Sequence, residues 1–360
     1  MLSNHKIQTT LDEISEIAKT GFVLYDDKGK KVASTVLEES DLSKEVESFA
    51  ASMAESQMLS GYHFFKVVVD NDTEYILLVK AANDEAYMVG RLAVCQIRNL
   101  VLANREQSDK NNLMQNILLG NMLMVDIYNK AKKLHIEQAR RLVYVVEVEG
   151  RKDSVIVEMI KNLFADRNRD FVTELDEQNI ILIKDATAIK SEADALRLAK
   201  TIVDNLHSEA MVKVRVGYGN VTEALPDIAK SYQEAKMALE VGSIFYAEDE
   251  TISYGQLGIG RLIYQLPMSL CEMFIKEIFG ERDLDLDDET LVTIQKFFEN
   301  SLNISETARQ LYIHRNTLVY RLERLEKIIG LDIRKFEDAM TFKIAMMVIA
   351  HMNYQHKTIG

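Results

Sequence analysis

Between Asn303 and Leu331 the chain gathers Ser305, Thr307, His314, Arg315, Asn316, Thr317, Tyr320, Arg321, Arg324 and Lys327. Such side chains can read a duplex. An Arg fork suits guanine and an Asn amide suits adenine, each through paired hydrogen bonds contributing roughly 1–3 kcal/mol of discrimination. Arg321, Arg324 and Lys327 lie further along the segment and suit phosphates, which fix register rather than sequence. His314 suits either a helix cap or a phosphate contact.

These groups need two helices and a tight turn to present them. Ser305 is expected to cap the first helix, with Glu306 in its positive first turn. Ile304, Ala308 and Leu311 share one face at helical spacing, and Ile313 can plug the turn. The second helix is expected from about Arg315. Its inner face is Leu318, Leu322, Leu325 and Ile328 or Ile329, and its outer face carries the polar and basic residues. In a docked helix-turn-helix the first residues of the second helix reach base edges. Residues 301–335 hold seven Lys/Arg and four Asp/Glu, a net of +3 in a chain of net charge −13. A basic island in an acidic protein is an electrostatic footprint for nucleic acid. The bland alternative is an amphipathic hairpin with a solvated basic face. Turn, apolar spacing and charge together favour the DNA reader.

The run TARQLYIHRNTLVYRLERLE adds a resemblance. Thr307, Ala308, Leu311, His314, Asn316, Thr317, Leu318, Tyr320, Arg321, Leu322 and Glu326 match the pattern T-A-x-x-L-x-x-H-x-N-T-L-x-Y-R-L-x-x-x-E. That pattern is similar to the C-terminal DNA-binding domain of PucR/CdaR-type bacterial regulators, which include purine-catabolism and sugar-diacid regulators. Tyr312 stands where many helix-turn-helix motifs have glycine. The resemblance implies a DNA-binding transcription factor. The sugar-diacid recognition signature is absent from the N-terminus, so sugar diacids are not expected as the ligand.

At 360 residues two or three domains are expected, and an apolar fraction of 47% can fill their cores. The two cysteines, Cys95 and Cys271, have no CxxC spacing, which points to a reducing cytoplasm without disulfides or a zinc site. No signal peptide is read at the N-terminus and no apolar run is long enough for a membrane span. His351 and His356 have weak metal-ligand spacing, and no metal or cofactor is expected. No catalytic constellation such as G-x-S-x-G or HExxH is present, so the chain is read as a non-enzyme.

The expected fold class is α+β multidomain. Residues 1–82 read as an α/β sensor-like module of PAS, Cache or profilin-type architecture, with helices at 1–20 and 37–59 and a hairpin turned at Asn71-Asp72. Tyr25, Ser34, Tyr62, His63 and Tyr75 are its candidate ligand contacts; for His63, packing is the competing explanation. Residues 83–137 read as helical. Met88, Leu92, Cys95, Asn99 and Leu102 step by four and three, which fits either a dimerising signalling helix or a helix packed on its own domain.

Residues 138–255 show a β-α-β-β-α-β order that resembles a GGDEF-like cyclase fold. Gly217, Gly219, Ser231, Tyr232, Glu234, Ala235 and Ala238 resemble the middle domain of the same regulator family. No Gly-Gly-Asp/Glu-Glu-Phe sequence occurs, so no cyclase activity is expected. The glycines at 255, 258 and 260 are not followed by Lys-Ser/Thr and read as a joint rather than a P-loop. Connecting helices at 256–290 and a helix-turn-helix domain at 291–360 complete the chain. Its acidic run, 281–291, should cap a helix.

The expected partners are a double-stranded DNA operator, a small-molecule effector and a second copy in a homodimer, with no membrane. The alternative is a partner-controlled or constitutive regulator. Its N-terminal and middle domains would then be interaction or nucleotide-binding modules.

Overall fold

A computed structural model describes residues 4–36, 41–80, 84–150, 153–164, 169–280 and 286–359. The chain divides into two compact units, Met1–Met114 with Lys130–His135, and Gln115–Asn129 with Ile136–Gly360. Among the described residues no helix is long and apolar enough to cross a membrane.

The first unit begins with α1 (Asn4–Ala18), β1 (Gly21–Asp26), β2 (Lys31–Ser34), α2 (Ser43–Ala51), β3 (Ser56–Leu59), β4 (Tyr62–Val69) and β5 (Asp72–Lys80). The strands form one antiparallel sheet in the order β2-β1-β5-β4-β3. Its strands read as continuous apolar runs because both faces are covered. Phe22, Leu24, Phe65, Val67, Leu77 and Val79 face one way, toward Ile7 and Leu11 of α1. Val23, Tyr25, Phe64, Ile76 and Leu78 face the other, toward Val46 and Phe49 of α2.

Two expectations need correction here. The helix read over 37–59 is only Ser43–Ala51 among the described residues; residues 37–40 lie outside them. Ser52 is already extended, and Ser56–Leu59 is a strand paired with β4. Ser60 and Gly61, both at positive φ (52° and 81°), supply the hairpin turn that the helical reading overlooked. The second hairpin turns at Asp70-Asn71, both at positive φ, so Asp72 already pairs with Val69.

The helical stretch is two helices, α3 (Asp84–Leu118) and α4 (Met124–Lys133), separated at Gly120, whose φ is +67°. In the first unit α3 packs on the sheet through Ala86, Ala93, Ile97 and Val101. Gly90 lets it lie close, since a Cβ there would run into the Phe65 ring. The four-three stripe is on the other side: Met88 and Leu92 are 67% and 66% exposed, and Leu102 is 40% exposed.

The second unit continues with β6 (Arg141–Val148), α5 (Ser154–Leu163), β7 (Phe171–Thr173), β8 (Asn179–Asp185), α6 (Glu192–Ala210), β9 (Val214–Tyr218), α7 (Ile228–Phe245) and β10 (Thr251–Ser253). The β-α-β-β-α-β order is present from β6 to β9. A fifth strand, β10, which the sequence reading overlooked, runs parallel to β9 at the edge of the order β10-β9-β6-β8-β7. The apolar side chains of α5 and α6 fill one face with Leu142, Tyr144, Val146, Leu182 and Tyr218.

On the other face α7 lies close to the strands because Gly217 and Gly219 have no side chain; a Cβ on Gly217 would meet the Ala235 carbonyl at 2.5 Å. The Val143 N–H donates to the Ser231 hydroxyl (3.1 Å), and the Asn220 N–H donates to the buried Glu234 carboxylate (2.8 Å). These contacts give physical content to the glycine, serine and glutamate marks in the sequence.

Among the described residues six helices follow: α8 (Ile259–Tyr264), α9 (Met268–Phe279), α10 (Asp288–Glu299), α11 (Ile304–Gln310), α12 (Arg315–Ile329) and α13 (Phe336–Ile359). Leu318, Leu322, Leu325 and Ile329 of α12 meet Phe297, Ala308, Phe342 and Ala345 in one core. Ile263, Cys271 and Val348 form a smaller cluster with Phe245 of α7 beside it. Residues 281–285 of the acidic run lie outside the described residues. Asp287 caps α10 as expected, accepting from the Thr290 N–H at 2.8 Å.

Candidate nucleic-acid interface

Asn303, not Ser305, caps α11. Its Oδ1 accepts from the N–H groups of Ser305 and Glu306, both at 3.1 Å. The short Asn side chain reaches back at the residue before the helix, and Glu306 three residues on is the sequence signal for it. Ser305 is exposed in the first turn. Thr307 is fully buried, and its hydroxyl donates to the Asn303 carbonyl at 2.8 Å. It locks the helix start and cannot reach DNA, which corrects its place among the candidates.

The Ile313 N–H donates to the Ala308 carbonyl (3.0 Å) and the Tyr312 N–H to that of Arg309 (3.2 Å), which closes the turn. His314 then caps α12, its Nδ1 accepting from the Asn316 N–H at 3.2 Å. Capping, one of the two roles read for it, is therefore in place. Gly330, at φ +81°, ends the helix with its N–H on the Glu326 carbonyl.

Arg315, Asn316, Thr317, Tyr320, Arg324 and Lys327 all stand on the exposed side of α12. Among the described residues Arg315, Arg324 and Lys327 make no ion pair. The acids of the same helix are tied back: Arg334 bonds Glu326 at 2.7 Å, with Glu323 at 3.4 Å, and is itself held by Asp332, just past the helix, at 2.6 Å. Arg334 was not among the sequence candidates. Its role is visible only once the chain after Gly330 folds back beside α12.

Arg321 is placed differently from its neighbours. Its guanidinium is turned to α10, where it donates to Glu289 at 2.5 Å and to the Thr293 hydroxyl at 3.3 Å. Hydrogen bonds from Thr290, with Arg324 and Arg321 nearby, hold the Asp287 carboxyl below its usual range. The Asp287 carboxylate, at the start of α10, therefore stays ionised next to the basic helix.

The five candidate ligand contacts of the first unit do not converge. Tyr25 and Tyr62 are buried on the α2 face of the sheet. Tyr75 packs on the opposite face, where burial and the nearby Glu74 and Asp26 raise its pKa. His63 stacks on Phe65 at 6.0 Å and meets the Tyr87 edge at 6.0 Å, which is the packing role. Ser34 is half-buried, and its Oγ donates to the Val36 carbonyl. An open cavity of about 530 Å³ beside α2 is lined by Asp27, Glu47, Ala50, Ala51, Asp72, Thr73 and Glu74, and includes none of the five.

Comparison with known proteins matches residues 290–348 to the PucR C-terminal helix-turn-helix domain and residues 120–241 to the GGDEF-like domain. The chain is similar to the purine catabolism regulatory protein of Bacillus subtilis, 27% identical over 46% of this chain and 32% of that protein. It thus spans about a third of that relative's length. It is also similar to the carbohydrate diacid regulator of Escherichia coli, 23% identical over 72% of this chain and 71% of that one. Among solved structures it matches a regulator of polyketide synthase expression from Bifidobacterium adolescentis at TM-score 0.34 and 14% identity, over 69% of this chain and 99% of that one. With both matched domains in their order and the Thr307–Glu326 motif on the helix-turn-helix, the chain carries a GGDEF-like domain followed by a PucR-type C-terminal helix-turn-helix domain, the arrangement of PucR/CdaR-type regulators that it is similar to.

Proposed function

We propose that the chain regulates transcription by binding a specific operator through α12. One observation carries this reading. The exposed side of α12 presents Arg315 and Asn316 at its first turn and unpaired Arg324 and Lys327 further on, while Arg334 ties back the carboxylates of the same helix. Base-reading groups at the N-terminus of a recognition helix, with phosphate binders behind them, suit a major groove. Footprinting on the DNA upstream of its own gene tests it. A protected stretch with two half-sites about 34–36 Å apart, or a multiple of this, is expected for a dimer; scattered weak protection counts against the reading.

The dimer is part of the proposal. The exposed stripe Met88, Leu92, Cys95, Asn99 and Leu102 supports pairing of α3 with its copy, with Asn99 as the polar residue that fixes register. Leu92→Glu should turn a dimer into a monomer by sedimentation. The antiparallel order β2-β1-β5-β4-β3, with a helix between β2 and β3, supports a PAS-type sensor reading of the first unit. A small-molecule effector there would act by biasing dimer geometry and so DNA affinity. The middle domain is read as a relay without catalysis: it lacks the cyclase signature, and the named relatives are regulators. A cytoplasmic location fits this role.

A further inference from the structure

The exposed stripe of α3 has two borders that differ in charge. Ala86, Ala93, Ile97 and Val101 pack on the sheet. Met88, Leu92, Cys95, Asn99 and Leu102 run along the opposite side, at the spacing of a seven-residue repeat. One border of this stripe is a row of arginines, Arg91, Arg98 and Arg105. The other, Val89, Gln96 and Ala103, carries no charge. Folding of the first unit uses this row only at one end, where Arg105 is held by Asp70 at 2.9 Å and by Glu74. Arg91 approaches Glu55 no closer than 3.8 Å, with both side chains well exposed, and Arg98 stands exposed at the centre of the row.

Border residues set the orientation in which two such helices pair. In a parallel pair each border lies against the opposite border of the copy, so arginines meet the neutral side. In an antiparallel pair each border meets itself, arginine against arginine, and like charges brought together disfavour that arrangement. Asn99 points the same way. Within one chain its amide reaches the Cys95 sulfur at 3.9 Å. In a parallel pair it lies beside the identical amide of the copy, which offers both a donor and an acceptor.

Resting on the proposed homodimer, we infer that α3 pairs with α3 of a second copy in parallel and in register, each residue of the stripe beside its own counterpart. The apolar stripe supplies the contact and the one-sided arginine row excludes the reversed pair.

Cysteine pairing in the full chain tests it. In a Cys95→Ser background, Met88→Cys and Leu102→Cys are made separately and oxidised with copper phenanthroline. The Cys95→Ser chain, which keeps the buried Cys271, is the control. The two positions stand four turns apart on the helix, about 21 Å, whereas a disulfide needs Cα atoms within about 7 Å. A parallel pair joins both variants to their own copies, so each should run mainly as a linked dimer on a non-reducing gel. An antiparallel pair can join at most one of them. Linkage of one variant alone, or only when the two are mixed, overturns the orientation. Linkage of neither, in a chain that sediments as a dimer, overturns α3 as the interface while the dimer stands. If the unaltered chain sediments as a monomer, the dimer itself falls and the orientation falls with it.

Discussion

The Arg321 guanidinium on α12 is held by the Glu289 carboxylate on α10, with the Thr293 hydroxyl as a second acceptor. A base that the family motif places on the recognition helix is thus committed to its own domain. The Glu289 side chain is 68% exposed and that of Arg321 27%, so the pair adds little stability, about 0–1 kcal/mol. Its larger effect is on where one positive charge points.

Releasing that charge should be measurable. Glu289→Gln is expected to strengthen binding to all duplexes about equally and to steepen the salt slope by about 0.9, the mark of one added phosphate contact. Arg321→Ala should weaken binding less than Arg324→Ala does. Salt titrations of the three variants check this; an unchanged slope in Glu289→Gln would show that Arg321 stays clear of the DNA.

Arg315 and Asn316 should behave as readers of sequence. Truncating either to Ala is expected to cost about 1–3 kcal/mol on the native operator and to relax preference at one base position. Arg324→Ala and Lys327→Ala should weaken binding to every sequence alike, with the slope reduced by about one unit each. Competition assays against singly substituted operators separate the two groups; identical behaviour would contradict the division of roles along α12.

Gly219 leaves no room for a side chain, because a Cβ there would overlap the Ser231 backbone and lie 2.8 Å from its hydroxyl. Gly219→Ala should therefore destabilise the middle domain by about 1–3 kcal/mol, as overpacking does. Gly255→Ala, whose Cβ would meet nothing nearer than 3.6 Å, is the control and should be near neutral. Chemical denaturation of both variants decides it.

His351 on α13 is 1% exposed, its Nδ1 has no hydrogen-bond partner, and its ring lies 5.6 Å from that of Tyr264 on α8. Burial pushes its pKa below the usual histidine value. The unfolded chain then takes up a proton that the folded chain refuses, so stability should fall as pH drops below about 6.5. Denaturant midpoints at several pH values should show this slope, and His351→Gln should flatten it. An equal slope in the variant would assign the loss to other groups.

The helix-turn-helix was legible because its information is local: apolar spacing, a cap and a turn within 30 or so residues. Even there the cap moved from Ser305 to Asn303, although Glu306 stood where a capping pair requires it. What the sequence could not show was which polar side chains are spent inside the fold. Thr307, Arg321 and the Arg334 clamp all depend on residues brought together by tertiary packing. In the first unit, strand content is legible, but β3 hides inside a helical pattern because its only local mark is the Ser60-Gly61 turn and its place comes from pairing with β4. The strand β10 is three residues long and gains its place only by pairing with β9. Residue type alone does not place Tyr25, Tyr62 and Tyr75 together, because the two faces of the sheet divide them.

The most direct test is fluorescence anisotropy of the purified chain on its own upstream DNA against a shuffled duplex of equal composition, at two salt concentrations. The account predicts a preference for the native duplex that survives higher salt and disappears in Asn316→Ala. Equal, salt-fragile binding to both duplexes, or no binding to either, would contradict it.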